Sequence, residues 1–306
     1  MCMTAITVSD LRKHYGDVHA VDGLSFEVDE GQVCALLGPN GAGKTTTVEI
    51  LEGHRTATSG HVRVMGFDPA IGGRDYRERI GVVLQEAGFD EEQTVRELVE
   101  MYSGFYPRHL RSDELITLVD LGDKSGTRVK ALSGGQRRRL DLALGLVGDP
   151  DLLFLDEPTT GFDPAARRNA WGLIDRLRDL GKTILLTTHY MDEAQHLADH
   201  VVVIASGRLA WQGTPEELIA RAGALAVVSF RLPQGLSLSE LPDLDAAVRN
   251  DGDFVEAVGR DPLRTLHALT DWALRRGVAL PGLAVERRSL EEAYLGLLHE
   301  EATDDG

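Results

Sequence analysis

Gly38-Pro39-Asn40-Gly41-Ala42-Gly43-Lys44-Thr45 decides how this 306-residue chain is read. The stretch fits G-x-x-x-x-G-K-[ST]. It follows the apolar run Val33–Leu37, as a strand buried on both faces would be. It precedes Thr45–Leu51, which reads as a helix. Glycines let successive backbone N–H groups turn inward around phosphate oxygens, and a helix N-terminus adds positive potential. Lys44 would then reach the β and γ phosphates, and the Thr45 hydroxyl would be a Mg²⁺ ligand. A second Gly-Lys-Thr, at Gly181-Lys182-Thr183, has Arg176 where the first glycine should stand.

Working outward, Leu152–Leu155 is another short buried strand, and it ends in Asp156-Glu157. A carboxylate at such a strand tip can hold Mg²⁺ through water, the second half of a nucleotide metal site. Glu157 beside it could polarise an attacking water as general base. Further short β-type runs are Ala5–Val8, Leu24–Val28, His61–Met65, Ile80–Leu84, Thr183–Thr187 and Val201–Ala205. Between Thr94 and Val147 the pattern turns helical, with Leu98, Met101, Tyr102 and Phe105 at helical spacing. Alternating strands and helices predict an α/β fold with a mostly parallel sheet, whose ligands sit beyond the strands' carboxyl ends.

Composition bounds the class. Lys and Arg number 32 against 49 Asp and Glu, a net charge of −17, which disfavours broad binding to nucleic acid or anionic lipid. The longest apolar runs are five residues (Val33–Leu37, Val201–Ala205, Ala224–Val228), against the ~20 that a spanning helix needs. The opening MCMTAITVSD lacks the features of a secretory signal, so a cytoplasmic chain is expected. Cys2 and Cys34 form no metal-spaced cluster, and a reducing compartment argues against a bridge. Residues 216–306 carry 9 basic and 17 acidic side chains, against 23 and 32 before them, and shift towards Leu, Ala, Asp and Pro. That shift predicts a boundary near Pro215–Gly223.

Leu132-Ser133-Gly134-Gly135-Gln136 lies before Asp156 and narrows the field. Ser133 and the N–H groups after it would open a helix over Gln136–Val147 and make a second anion site. With this pentapeptide beside the Gly-rich loop and Asp156-Glu157, residues 4–215 resemble the ATP-binding subunits of ABC transporters. The resemblance implies a P-loop NTPase, ABC-type nucleotide-binding domain, with a helical subdomain at about residues 90–147. It also implies a phosphate cradle of Gly38 to Lys44 with Thr45 and Thr46, and an adenine-stacking Tyr15. Gln85 would contact Mg²⁺ and sense the γ-phosphate, and His189 would be a switch near that phosphate. Asp163, in Gly161-Phe162-Asp163-Pro164, resembles the loop that communicates between paired subunits, with Phe162 in place of the usual leucine.

One chain carries one phosphate loop and one pentapeptide, and the family sandwiches ATP between the loop of one subunit and the pentapeptide of another. The resemblance therefore implies a head-to-tail homodimer in which Lys44, Thr45, Gln85, Asp156, Glu157 and His189 act in one protomer. The partner would offer Ser133, Gly135 and Gln136. It further implies a separate integral membrane permease docking on Thr94–Lys130 from Glu86–Gly88 onward, which places the chain peripherally at the cytoplasmic face of the cell membrane. No nucleic-acid partner is expected. Arg137-Arg138-Arg139 reads as the exposed face of a helix, with an anion-binding patch as the alternative.

Residues 216–306 predict a small α/β accessory domain: a strand at Ala226–Leu232, a helix at Pro262–Arg276, and a final helix at Ser289–His299 opened by a Ser289–Glu292 capping box. The closing Ser289-Leu-Glu-Glu-Ala-Tyr-Leu resembles the daunorubicin/doxorubicin-resistance, drug-export branch. The resulting expectation is the ATPase subunit of a membrane exporter. The alternative is a soluble ABC-type ATPase working as a mechanical switch on nucleic acid, ribosome or cofactor assembly.

Overall fold

The computed structural model describes residues 3–83, 88, 90–221, 226–233, 235–259, 261–287 and 289–304. They fall into two units, Met1–Pro215 and Glu216–Gly306. The first opens with a long hairpin, β1 (Thr4–Tyr15) and β2 (Val18–Asp29). Only fragments of it were legible as Ala5–Val8 and Leu24–Val28. The pairing slips between Val8 and Leu11, where Asp10 takes a left-handed φ of 47°, so the two-residue alternation that marks a strand is broken there.

β3 (Val33–Leu37) is buried at every residue, as its apolar run predicts, and delivers the chain to α1 (Lys44–Leu51). β4 (Ser59–Val64) pairs with β1, making a three-stranded sheet in the order β2-β1-β4. α2 (Gly73–Arg79) leads into β5 (Ile80–Val83). The predicted helical span then resolves into α3 (Val95–Ser103), α4 (Ser112–Leu118) and α5 (Gly134–Leu146). Thr94 with Glu97 caps α3, and Ser133 with Gln136 caps α5, both as complete capping boxes. α5 thus starts two residues before the expected Gln136, because the serine's own cap brings both glycines into the first turn.

β6 (Leu152–Asp156), α6 (Pro164–Asp179), β7 (Thr183–Thr187), α7 (Met191–Leu197), β8 (His200–Ala205) and β9 (Arg208–Gly213) complete the unit. The main sheet runs β5-β6-β7-β3-β8-β9, parallel except for the β8–β9 hairpin at its edge. Central β3 hydrogen-bonds to β7 on one side and β8 on the other. The β3, β6 and β7 ends therefore lie side by side, and Asp156 is the register partner of Thr187.

α8 (Pro215–Arg221) begins at the boundary between the units. In the second unit β10 (Ala226–Arg231), β11 (Ala247–Asp251), β12 (Phe254–Gly259) and β13 (Ala284–Arg287) form an antiparallel sheet in the order β11-β12-β10-β13. Val228, Phe230, Val255 and Ala257 form its core with Leu269 of α9 (Pro262–Arg276). Asp261 caps α9, Pro262 starts it, and left-handed Gly277 ends it. α10 (Leu290–Asp304) runs past the expected His299, and the Ser289 hydroxyl accepts from the Glu292 N–H at 3.3 Å. Of the four strands only β10 was anticipated. β11 is exposed at every residue and carries Arg249, Asn250 and Asp251, so it lacks the apolar pattern that reveals a strand.

One core group carries a pH signature. The Glu52 side chain is 3% exposed, with His54 Nδ1 at 3.1 Å. Burial, joined by the charges of Asp156 and Glu49, raises its pKa from 4.5 to about 7. Between those values the folded chain keeps a proton that the unfolded chain has lost, so stability falls as pH rises through that window. Glu52→Gln, neutral throughout, should remove this fall. Urea unfolding on either side of the window checks it: parallel stability–pH curves for the two proteins would show that the carboxyl ionises normally.

Candidate functional site

The loop after β3 is shaped by close backbone approaches. Gly43 has φ 102°, and a Cβ there would lie 2.3 Å from the Ala20 carbonyl oxygen, so no other residue fits. The Ala42 N–H donates to Pro39 O at 3.2 Å, and the Ala42 carbonyl accepts from the Gly207 N–H at 3.1 Å. Thr47 closes the first turn of α1 by donating to the Gly43 carbonyl through its N–H and its hydroxyl, both at 2.9 Å. The Lys44 ammonium lies back along the loop, on Gly38 O at 2.7 Å and Pro39 O at 3.0 Å. Half-burial lowers its pKa, while the charges of Glu157 and Asp156 oppose that shift.

Asn40, Gly41, Gly43, Lys44, Thr45 and Thr46 share a cleft of about 460 Å³ with Asp156, Glu157 and Thr187. Strand pairing explains this meeting of residues that are distant in sequence. Thr187 Oγ1 donates to Asp156 Oδ1 at 2.5 Å and accepts from the Glu157 N–H at 3.1 Å. The Glu157 N–H also reaches the Thr187 carbonyl at 3.1 Å. Glu157 adopts a left-handed φ of 46°, which costs a non-glycine residue of order 1–3 kcal/mol and persists only where surrounding bonds impose it. Its carboxylate accepts from the Thr160 hydroxyl at 3.0 Å and lies 3.3 Å from His189 Nδ1. His189 follows β7 and packs on Tyr190, whose ring stacks with Arg167. Thr45 and Asp156 line one cleft, and hard oxygen donors of the kind their side chains carry suit Mg²⁺.

Other expected residues lie apart from this cleft. Tyr15 ends β1, is 41% exposed, and has Lys13 and Arg55 about its ring at 5.2 and 5.4 Å. Ser133 is exposed at the start of α5, where its hydroxyl accepts from the Gln136 N–H at 3.3 Å and Gln136 Oε1 accepts from the Ser133 N–H at 3.0 Å. Gly135 lies within that first turn. Asp163 caps α6, accepting from the Ala165 and Ala166 N–H groups at 2.9 and 2.8 Å. Gln85 and Glu86 lie outside the described residues.

One expectation is corrected. Arg138 is not on an exposed helix face: it is 8% exposed and donates to the backbone around Glu157. Helical spacing alone puts it beside Leu142, and three consecutive arginines masked that position's burial. Two further groups were missed. Fully buried Glu193 accepts from the Thr159 hydroxyl at 2.8 Å and Trp171 Nε1 at 3.1 Å, joining the loop before Asp163 to the helix after His189. A larger cavity, about 550 Å³, is lined by Glu52, Tyr76, Tyr102, Tyr106, Asp141 and Leu144, and contains none of the phosphate-loop residues. His14, His19 and Asp22 also offer ligand atoms within 4.8 Å of one another, but Asp22 is already held by the guanidinium groups of Arg12 and Arg208, which offset its charge.

Gly43→Ala should abolish binding of a fluorescent ATP analogue while leaving the far-ultraviolet circular dichroism of the chain intact. Retained affinity would show that the loop can move away from Ala20.

Residues 21–160 match the family described as "ABC transporter", and residues 226–289 match "ABC transporter domain-containing protein-like, C-terminal domain". The daunorubicin resistance ATP-binding protein DrrA3 of Streptomyces coeruleorubidus is 39% identical, over 97% of this chain and 96% of its own. The Nod factor export ATP-binding protein I of Ralstonia nicotianae is 40% identical, over 98% and 95%. Among solved structures, cbiO1 from Clostridium perfringens, part of the ABC transporter complex cbiONQ, superposes with a TM-score of 0.64 at 30% identity, over 71% of this chain and 91% of its own. Among the described residues, no helix is long and apolar enough to cross a membrane. With relatives this similar along nearly its whole length, the chain belongs to the ABC transporter family, as one of its ATP-binding, ATP-hydrolysing subunits.

Proposed function

We propose that this subunit powers a membrane exporter through ATP-driven closure of a head-to-tail homodimer, in which each ATP lies between the phosphate loop of one protomer and the Ser133 helix of the other. The observation that carries the reading is the junction of β6 and β7, where Thr187 holds Asp156 and Glu157 at the cleft and His189 stands 3.3 Å from the Glu157 carboxylate. Residues 38–46 cradle the phosphates with backbone N–H groups, and Lys44 leaves the loop carbonyls for the β and γ oxygens. Tyr15 stacks on adenine. When bound, Mg²⁺ would be held by the Thr45 hydroxyl and the Asp156 carboxylate, with Gln85, and would supply positive charge against the phosphates.

Glu157 accepts a proton from water as its oxygen attacks the γ-phosphorus; the bond to the β-phosphate oxygen breaks, leaving ADP and phosphate. His189 orients the carboxylate and faces the departing phosphate. The partner's Ser133 helix offers its N-terminal N–H groups to the same phosphates, so ATP favours the closed dimer and hydrolysis removes that bias. Asp163 lies on the loop that feels the partner. The power stroke passes to a separate integral permease through the helical region 94–130, which places the chain at the cytoplasmic face of the membrane. One relative is named for daunorubicin resistance and another for Nod factor export, at nearly equal identity to this chain. Cargo selection is assigned to the permease on this ground.

Glu157→Gln should keep ATP binding, lower turnover by ~10²–10⁴ as loss of a general base does, and accumulate a closed dimer; Lys44→Ala should weaken binding itself. Tagged Glu157→Gln, captured with Mg-ATP from detergent-solubilised native cells, should bring a multi-helix membrane protein with it. Wild-type turnover in that variant would remove Glu157 from the mechanism. Recovery of ribosomes, nucleic acid or soluble proteins alone would replace the exporter with a soluble switch.

A further inference from the structure

Arg138 is a buried cation for which the phosphate chemistry has no direct use. It stands on α5, five residues after Ser133, with its side chain 9% exposed. Nη2 donates to the carbonyls of Asp156 at 2.8 Å and Glu157 at 3.3 Å, and Nε donates to that of Pro158 at 3.1 Å. Asp141, one turn along the helix, is its counter-ion at 3.8 Å, itself 10% exposed. A buried guanidinium is tolerated only when paired and hydrogen-bonded. Here the donors converge on three consecutive carbonyls, and the middle one belongs to Glu157, the residue held in a left-handed conformation.

The geometry points to Arg138 as a positioning residue for ATP hydrolysis. Its planar fork clamps the 156–158 turn, which keeps the Glu157 carboxylate at the cleft beside His189. Because the fork is carried on the helix that Ser133 opens, it also ties the partner-facing end of α5 to the hydrolytic carboxylate of the same protomer. This rests on the reading of Glu157 as general base. Lysine, a point charge with rotatable donors, cannot hold three carbonyls in the same way.

The test is steady-state ATP hydrolysis and ATP-analogue affinity of the full-length protein with Arg138→Gln and Arg138→Lys, each alone and combined with Glu157→Gln. Arg138→Gln should lower kcat by about 10–100-fold, the scale of a misplaced catalytic group, and lysine should recover part of it. KM and affinity should stay within about two-fold, because ground-state binding is untouched. In the Glu157→Gln background neither substitution should cost anything further, since both act through one carboxylate. An equal fold-loss in both backgrounds would make Arg138 a general structural residue and overturn the proposal. So would loss of affinity with kcat kept, or an unchanged kcat in Arg138→Gln. Should the glutamine variant fail to fold, the lysine variant carries the same comparison, and a full kcat there overturns the proposal. Failure of the base assignment reads out separately, as wild-type turnover in Glu157→Gln alone.

Discussion

β3 hydrogen-bonds on both edges, to β7 and β8, and is buried on both faces, so it can neither shift register nor leave the sheet. Everything at the site depends on that constraint. It fixes where the Gly-rich loop emerges, and through β7 it fixes β6, whose tip carries Asp156 and Glu157. A parallel sheet gathers its strands' carboxyl ends along one edge, so residues more than a hundred positions apart in the chain line one cleft.

The junction is held by backbone geometry as much as by side chains. The Glu157 N–H meets both oxygens of Thr187, and the Glu157 carbonyl meets Arg138, so its left-handed conformation is imposed from two sides. A flexible turn would let the carboxylate swing into solvent, where it would resemble any surface acid. Lys44 lies on the Gly38 and Pro39 carbonyls, so the loop holds its cation without a buried unpaired charge.

The helical segment and the core meet through α5. Its first turn presents Ser133, its middle reaches the Glu157 turn through Arg138, and Asp141 lines the larger cavity. Burial raises the Asp141 pKa to about 7 against the opposing charge of Arg138. α5 thus carries the exposed Ser133 at its start and, one turn further on, a guanidinium bonded to the backbone carbonyl of Glu157.

Much of this was legible without coordinates. Gly38–Thr45, Leu152–Glu157 and Leu132–Gln136 are local patterns, and each encodes its own geometry: a loop that only glycine can make, a buried strand ending in carboxylates, a serine-capped helix. Their order and spacing sufficed for the parallel α/β fold and for the family resemblance. Long-range bonding was not legible. Which arginine of Arg137–Arg139 turns inward depends on carbonyls about twenty residues away in β6 and its turn. The burial of Glu193 depends on Thr159 and Trp171 from a preceding loop and helix. The hairpin of β1 and β2 and the exposed β11 escaped because a bulge and a run of charges erase the two-residue period. The sequence by itself determined the chemistry of the Gly-rich loop and the alternation of buried strands with helices, because backbone conformation and apolar periodicity are local properties. Only the tertiary structure decided which polar side chains are buried and what they hold, because a buried charge is tolerated only where distant segments supply its partners.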